Sequence, residues 1–290
     1  MKEKKTDIAK TSETHIFLGG HDLEMEEISK LIKEKCPEIV LHDNGLSWGA
    51  VASEYQEEIT RQLNANKRVI LIELENDLNV PLAPAPDLWT PGTAIEIDHH
   101  RTKSGLEKPS SLQQMAELLN ICIEQFEPAR QRWLKLVMAN DVGHVLAMKA
   151  CDPPAEMSEM QKIRTADRVA QGVQPEDEAE AERAVSEASK LLKGYLTVVE
   201  TRTCKTSPIS DRLDADLGGA GYQILLISTP DSQNVYGPGD LIKHLVDEFQ
   251  SIPSWWGGAL PQQGFWGSNE LAQADLISCI EHWVDSNNSN

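Results

Sequence analysis

The sequence predicts an α/β fold, a largely parallel sheet flanked by helices, followed by a smaller α+β C-terminal domain. Two observations carry that prediction. Short apolar strand-like runs alternate with segments of helical period through the first half, and from Leu196 several strand-like runs follow in close succession. At 290 residues the chain is long enough to bury a sizeable core in two domains.

The elements follow in order. Residues 1–14 are polar and are expected to be flexible. His15-Ile16-Phe17-Leu18 reads as a buried strand stopped by Gly19-Gly20, and Glu24 to Lys35 as a helix with Met25, Ile28, Leu31 and Ile32 on one face. Ile39-Val40-Leu41 is a second strand. Gly45 to Gly49 forms a loop in which Trp48 packs or borders a cleft, and Ala50 to Leu63 is helical. Arg68 to Ile72 and Ala94 to Ile97 are the third and fourth strands. Ser110-Ser111 caps a helix from Leu112 to Asn120, and another helix runs from Pro128 to Met138. Together residues 15–152 form the first domain. Residues 153–193 are an acidic helical connector carrying Glu176-Asp177-Glu178, Glu180 and Glu182 on a solvated face. The C-terminal domain, residues 194–290, has strands at Leu196–Val199, Tyr222–Ile227 and Asn234–Tyr236. Beyond them lie a helix at Asp240–Phe249, a Gly- and Trp-rich segment from Trp255 to Gly267, and a last helix from Ala272 to Val284.

Composition excludes some functions. With 27 Lys+Arg against 46 Asp+Glu, the formal charge of −19 repels extended nucleic acid, and no basic stripe for duplex binding is present. Small anionic substrates remain open, because a metal reverses the local sign. The five cysteines form no C-x-x-C pair, which argues for a reducing compartment. No signal peptide and no membrane-spanning apolar run is read, so a cytoplasmic protein is expected, with a homodimer compatible.

The chemistry gathers where strands end. Asp98-His99-His100 follows the fourth strand, and a carboxylate and two imidazoles crowded there are costly to desolvate unless a divalent metal compensates. Asp22 and Glu24 follow the first strand, Glu73 the third, and Asn140-Asp141 the apolar-faced helix ending at Met138. Each alone reads as well as an N-cap or a solvated face. Their recurrence at positions where parallel sheets bind ligands shifts the reading to a metal site. Mixed oxygen and imidazole donors suit Mn²⁺, Fe²⁺ or Zn²⁺, with Mg²⁺ as a further candidate.

Over residues 15–150 this order resembles the DHH phosphoesterase superfamily, which includes pyrophosphatases, exopolyphosphatases, single-strand exonucleases and phosphodiesterases of cyclic and short oligonucleotides. Asp98-His99-His100 looks like the naming motif, Ser110-Ser111 like the hydroxyl pair that follows it, and Asp22-x-Glu24 like the first-strand Asp-x-Asp. The resemblance implies metal ligands at Asp22, Glu24, Glu73, Asp98, His99 and Asp141, holding two ions, usually Mn²⁺, that supply a hydroxide to attack phosphorus. It implies catalytic roles for Asp98, His99 and His100, the last stabilising charge on the phosphoryl oxygens, with His21 and Asn140 supporting the ligands. Two expected aspartates are glutamates here, Glu24 and Glu73, and the first-motif imidazole is displaced to His21.

The segment Trp256-Gly257-Gly258 to Gly264-Phe265-Trp266-Gly267 looks like the glycine-rich substrate loop of the associated C-terminal (DHHA1-like) domain. Gly257, Gly258 and Gly264 would hold an anion on backbone amides, Phe265 and Trp266 would stack on a base, and Arg202 would reach a phosphate. The expectation is therefore a metal-dependent phosphoesterase acting on a short oligonucleotide, cyclic nucleotide or nucleotide derivative. A catalytically weak nucleotide- or protein-binding module is the alternative, and an inorganic pyrophosphatase the second enzymatic one.

Overall fold

The computed structural model describes residues 13–85, 89–100 and 103–288, so residues 1–12 of the segment expected to be flexible lie outside the described residues. Thr14 is already the fully buried first residue of a strand, one position earlier than expected. The chain divides into two units, Met1–His99 with Pro109–Met138, and His100–Lys108 with Ala139–Asn290.

The first unit is the predicted parallel sheet. It holds β1 (Thr14–Leu18), α1 (Leu23–Lys35), β2 (Val40–His42), α2 (Gln56–Asn64) after a 3-10 turn at Ala52–Tyr55, β3 (Arg68–Ile72), β4 (Ala94–Ile97) and α3 (Ser111–Leu118). The strands are ordered β2-β1-β3-β4, all parallel. Alternation along the strands sends Phe17, Val69 and Leu71 to one face, where Tyr55 of the 3-10 turn and Ile59 of α2 complete a core. Ile16, Leu18, Ile70 and Ile72 lie on the other face and are also fully buried, as strands covered on both sides require.

Register matters most for function. Leu18 pairs with Ile72, and Ile72 with Ile97, so three strands end level. Gly19, Glu73 and Asp98 therefore leave the sheet side by side. The fit is close: a Cβ on Gly19 would stand 2.4 Å from the carbonyl oxygen of Glu73 and 2.7 Å from that of Ile72.

The second unit departs further from expectation. The helix expected to stop at Met138 continues as α4 (Pro128–Lys149), breaking only at Gly143 and His144, where His144 takes φ 49. Asn140 and Asp141 therefore sit within a helix rather than after one. Residues expected as a connector hold α5 (Met157–Ala170), α6 (Pro175–Ser186) and β5 (Ser189–Leu191). Then come β6 (Leu196–Glu200), α7 (Ser207–Leu213), β7 (Ile224–Ser228), β8 (Gln233–Pro238), α8 (Gly239–Glu248), β9 (Trp255–Gly257), β10 (Gln263–Ser268) and α9 (Gln273–Asn288). They build a mixed sheet ordered β5-β6-β7-β8-β10-β9, in which only β6 and β7 run parallel.

Leu196, Val198, Leu226, Val235 and Trp266 pack toward α8 and α9, while Val199, Leu225 and Ile227 pack toward Ala181 and Ala184 of α6 and Ile209 of α7. The acidic run is thus one face of α6, whose small alanines are its buried face. The Gly- and Trp-rich segment, expected as a loop, is the β9–β10 hairpin, and α7 was not anticipated. Among the described residues no helix is long and apolar enough to cross a membrane.

The close approach of β1 and β3 makes a direct prediction. Gly19→Ala forces apart two backbones that lack flexible atoms to yield, and is expected to cost about 1–3 kcal/mol in urea unfolding. Unchanged stability would show that the strand ends are not held at this separation.

Candidate metal centre

Three side chains converge where β1, β3 and β4 end. Glu24, in the first turn of α1, is 1% exposed, and His99, two residues past β4, is 4% exposed. Glu73 follows β3 directly, with its side chain 5% exposed. His99 Nε2 lies 3.2 Å from Glu73 Oε1 and 3.9 Å from Glu24 Oε2. Each of the three offers one ligand atom within 4.8 Å of the others.

Each side chain is positioned by a local cause. Glu24 Oε1 accepts the Leu112 N–H at 3.0 Å, at the amino end of α3, where a negative charge is favoured. Glu73 keeps its N–H in the sheet ladder, donating to the Ile97 carbonyl at 2.8 Å, yet its φ is 52. A left-handed non-glycine residue stores strain, and such strain collects at functional sites. Its buried Oε1 has no hydrogen-bond partner. Ser110 caps α3, accepting the Gln113 N–H at 3.2 Å, and the fully buried Ser111 hydroxyl also lacks a partner.

Two buried carboxylates beside one imidazole are strongly unfavourable without a cation, and their two-oxygen, one-nitrogen donor set fits a divalent ion such as Mn²⁺, Fe²⁺ or Zn²⁺. The residues present therefore fit the metal the sequence implies.

Asp22, Asp98 and His21 have other local partners. Asp22 is the N-cap of α1, its Oδ1 accepting the Met25 N–H at 2.8 Å. Among the described residues, Asp22 and Asp98 stand outside the groups whose ligand atoms come that close together. Asp98 is half-buried, and its carbonyl accepts a hydrogen bond from Gln114 Nε2 at 3.2 Å. His21 faces Glu26 at 3.7 Å. His100, Asn140 and Asp141 belong to the second unit. There Asn140 Oδ1 accepts from Arg164 Nη1 at 3.0 Å. Arg164, 2% exposed, also pairs with Asp167 at 2.8 Å and Asp211 at 2.9 Å. His144 escaped sequence reading; burial first, then the Arg164 charge, lower its pKa to about 4 and keep the imidazole neutral. A lone Gly143-His144 step in an apolar helix was the only sequence signal available.

The expected substrate loop changes character. Trp266 is fully buried and lies in the core, so it cannot stack on a base. Phe265 is half-buried in β10. Gly264 is required because a Cβ would stand 2.6 Å from the Gly257 carbonyl oxygen, and Gly258 adopts φ +99. Hairpin packing thus accounts for these glycines. Arg202 is exposed, its backbone N–H donating to Glu180 at 2.8 Å. Trp48, expected either to pack or to border a cleft, is 49% exposed, which disfavours packing.

No family model and no curated protein matches this chain. Among solved structures, an exopolyphosphatase-related protein from Bacteroides fragilis is similar at a TM-score of 0.50 and 9% identity, covering 94% of this chain and 92% of that one. RecJ from Thermus thermophilus, in complex with Mn²⁺, is similar at a TM-score of 0.51 and 9% identity, covering 97% of this chain; the chain spans about half (53%) of RecJ's length. The α/β reading is borne out: the chain shares its fold with these two structures, a parallel sheet flanked by helices followed by a second, mixed sheet.

Proposed function

We propose that the protein is a metal-dependent phosphoesterase acting on a small phosphorylated substrate, a short oligonucleotide, cyclic nucleotide or nucleotide derivative. The observation that supports it is the desolvated Glu24–Glu73–His99 cluster at level strand ends, with an unsatisfied carboxylate oxygen on Glu73. RecJ, whose fold is similar, was crystallised with Mn²⁺, which makes Mn²⁺ the first choice of ion.

Glu24, Glu73 and His99 would hold the ion; Asp22, Asp98 and Asp141 stay ligands by the sequence resemblance. When bound, a divalent cation lowers the pKa of water and offsets negative charge on a phosphoryl oxygen. The chain's residues do the rest. Glu24 is locked by the Leu112 N–H, so its second oxygen keeps a fixed direction. The rigid ends of β3 and β4 hold Glu73 and His99 against relative drift, which positioning of reactants requires. His100 is assigned to the developing charge on phosphorus oxygens. The charge of −19 and the lack of a basic stripe favour small substrates over duplex nucleic acid. The alternative, a catalytically weak nucleotide- or protein-binding module, draws on the capping role of Asp22, which occupies a carboxylate the resemblance assigns to metal.

Two outcomes check this reading. Mn²⁺ in hundredfold excess over its Kd is expected to raise the Tm of the wild type by about 5 °C or more, and Glu73→Gln is expected to abolish that rise. An equal rise in both would place the ion elsewhere. Across a panel of pyrophosphate, linear dinucleotides, cyclic dinucleotides and a bis-aryl phosphodiester, one class should be cleaved with Mn²⁺. Asp98→Ala and His99→Ala should each lower that rate at least about 100-fold. Binding of Mn²⁺ with no turnover of any member would instead support the binding module.

A further inference from the structure

We propose a second, separate metal site in the first unit: His15, His42 and Glu58 bind one transition-metal ion of the Zn²⁺, Co²⁺ or Ni²⁺ class at the edge of the parallel sheet. The site shares no residue with the Glu24–Glu73–His99 cluster, and it does not depend on the phosphoesterase reading.

The sheet brings the three together. β2 is an edge strand, and its parallel register sets Phe17 opposite His42. His15, two residues before Phe17, shares the same face of β1. That face is covered by α2, which carries Glu58. His15 Nδ1 lies 3.0 Å from His42 Nε2, and His15, His42 and Glu58 each offer one ligand atom within 4.8 Å of the others. Two imidazole nitrogens on one tetrahedral ion stand about 3.3 Å apart at Zn–N distances of about 2.0–2.1 Å, so the pair needs to open by only a few tenths of an ångström.

Packing fixes the donors in advance. The His42 ring stacks on Phe17, with centroids 4.2 Å apart and planes 5° from parallel, and the His15 ring stacks on His42 at 5.3 Å. Phe17 is fully buried and meets Tyr55 edge-on, so this stack has a rigid base. Glu58 is oriented by Arg61 and by Gln62 Nε2 at 2.6 Å, the kind of outer contact that aims a ligating carboxylate. The Glu58 side chain is 24% exposed, which leaves a way in from solvent.

Protonation agrees with the geometry. Burial lowers the pKa of both His42 and His15, which favours the neutral, ligating form of each ring. The Arg61 hydrogen bond lowers the pKa of Glu58 and keeps it ionised. Two imidazole nitrogens and one carboxylate oxygen suit Zn²⁺, Co²⁺ or Ni²⁺ better than Mg²⁺. Bound there, an ion ties a three-residue edge strand to the helix above it.

A hydrogen-bonded imidazole pair with no affinity for metal would show the same distances, and the following experiment separates the two. The full-length protein is stripped with chelator, saturated with Mn²⁺, then titrated with Co²⁺ while visible d–d absorption is followed. Wild type and Glu73→Gln should each develop one tetrahedral Co²⁺ equivalent that Zn²⁺ bleaches. His42→Gln should lose it, and Glu58→Gln should bind at least about 10-fold more weakly. Histidine ring resonances of the wild type should shift for His15 and His42 at one equivalent of Zn²⁺, a readout independent of any variant's folding. Equal Co²⁺ spectra in wild type and His42→Gln, or unmoved His15 and His42 resonances, would overturn the site. If the Co²⁺ equivalent disappears with Glu73→Gln but survives His42→Gln, the ion belongs to the first cluster and this proposal fails while the other stands.

Discussion

Glu73 is where the costs of this fold concentrate. Its carboxylate is desolvated 3.2 Å from His99, and its backbone is held at φ 52, a conformation that costs a non-glycine residue about 1–2 kcal/mol. Both are imposed by one constraint, the register that ends β1, β3 and β4 level. That register demands glycine at position 19, and it delivers Glu73 and the Asp98-His99 step to one place. Glu24 reaches the same place from α1, anchored at the amino end of α3. A site assembled in this way is positioned by strand register and by one helix contact.

The glutamates at positions 24 and 73 are consistent with that geometry. A longer side chain lets Glu24 bond the Leu112 N–H with one oxygen and keep the other directed at His99. Asp22 does what a short carboxylate before a helix does best, and caps it. The two acids of the Asp-x-Glu pair thus divide structural and ligand-facing work between them.

Much of the first unit was legible because each strand is an apolar run closed by an acid or a glycine, and such runs report both their burial and their ends. The limits have physical causes. An aspartate at a strand end is written the same way whether it caps or ligates, so Asp22 could not be sorted. Asn140-Asp141 resembles a helix stop, yet α4 continues past it because Val142, Val145 and Met148 remain buried. Trp255 to Gly267 reads as a loop because its glycines hide a period-two strand pattern, and those glycines are there to let the hairpin backbones meet. The buried charge of Arg164 and the 27-residue separation of His15 and His42 are tertiary facts with no local signature.

The account stands on a divalent ion seated between Glu24, Glu73 and His99. The most direct measurement is a crystal structure of the Mn²⁺-soaked protein, with anomalous differences collected at the manganese edge. The account predicts a peak within about 2.0–2.3 Å of a carboxylate oxygen of Glu24, one of Glu73 and His99 Nε2. Manganese bound only elsewhere, or a cluster that stays closed on itself at saturating Mn²⁺, would contradict it.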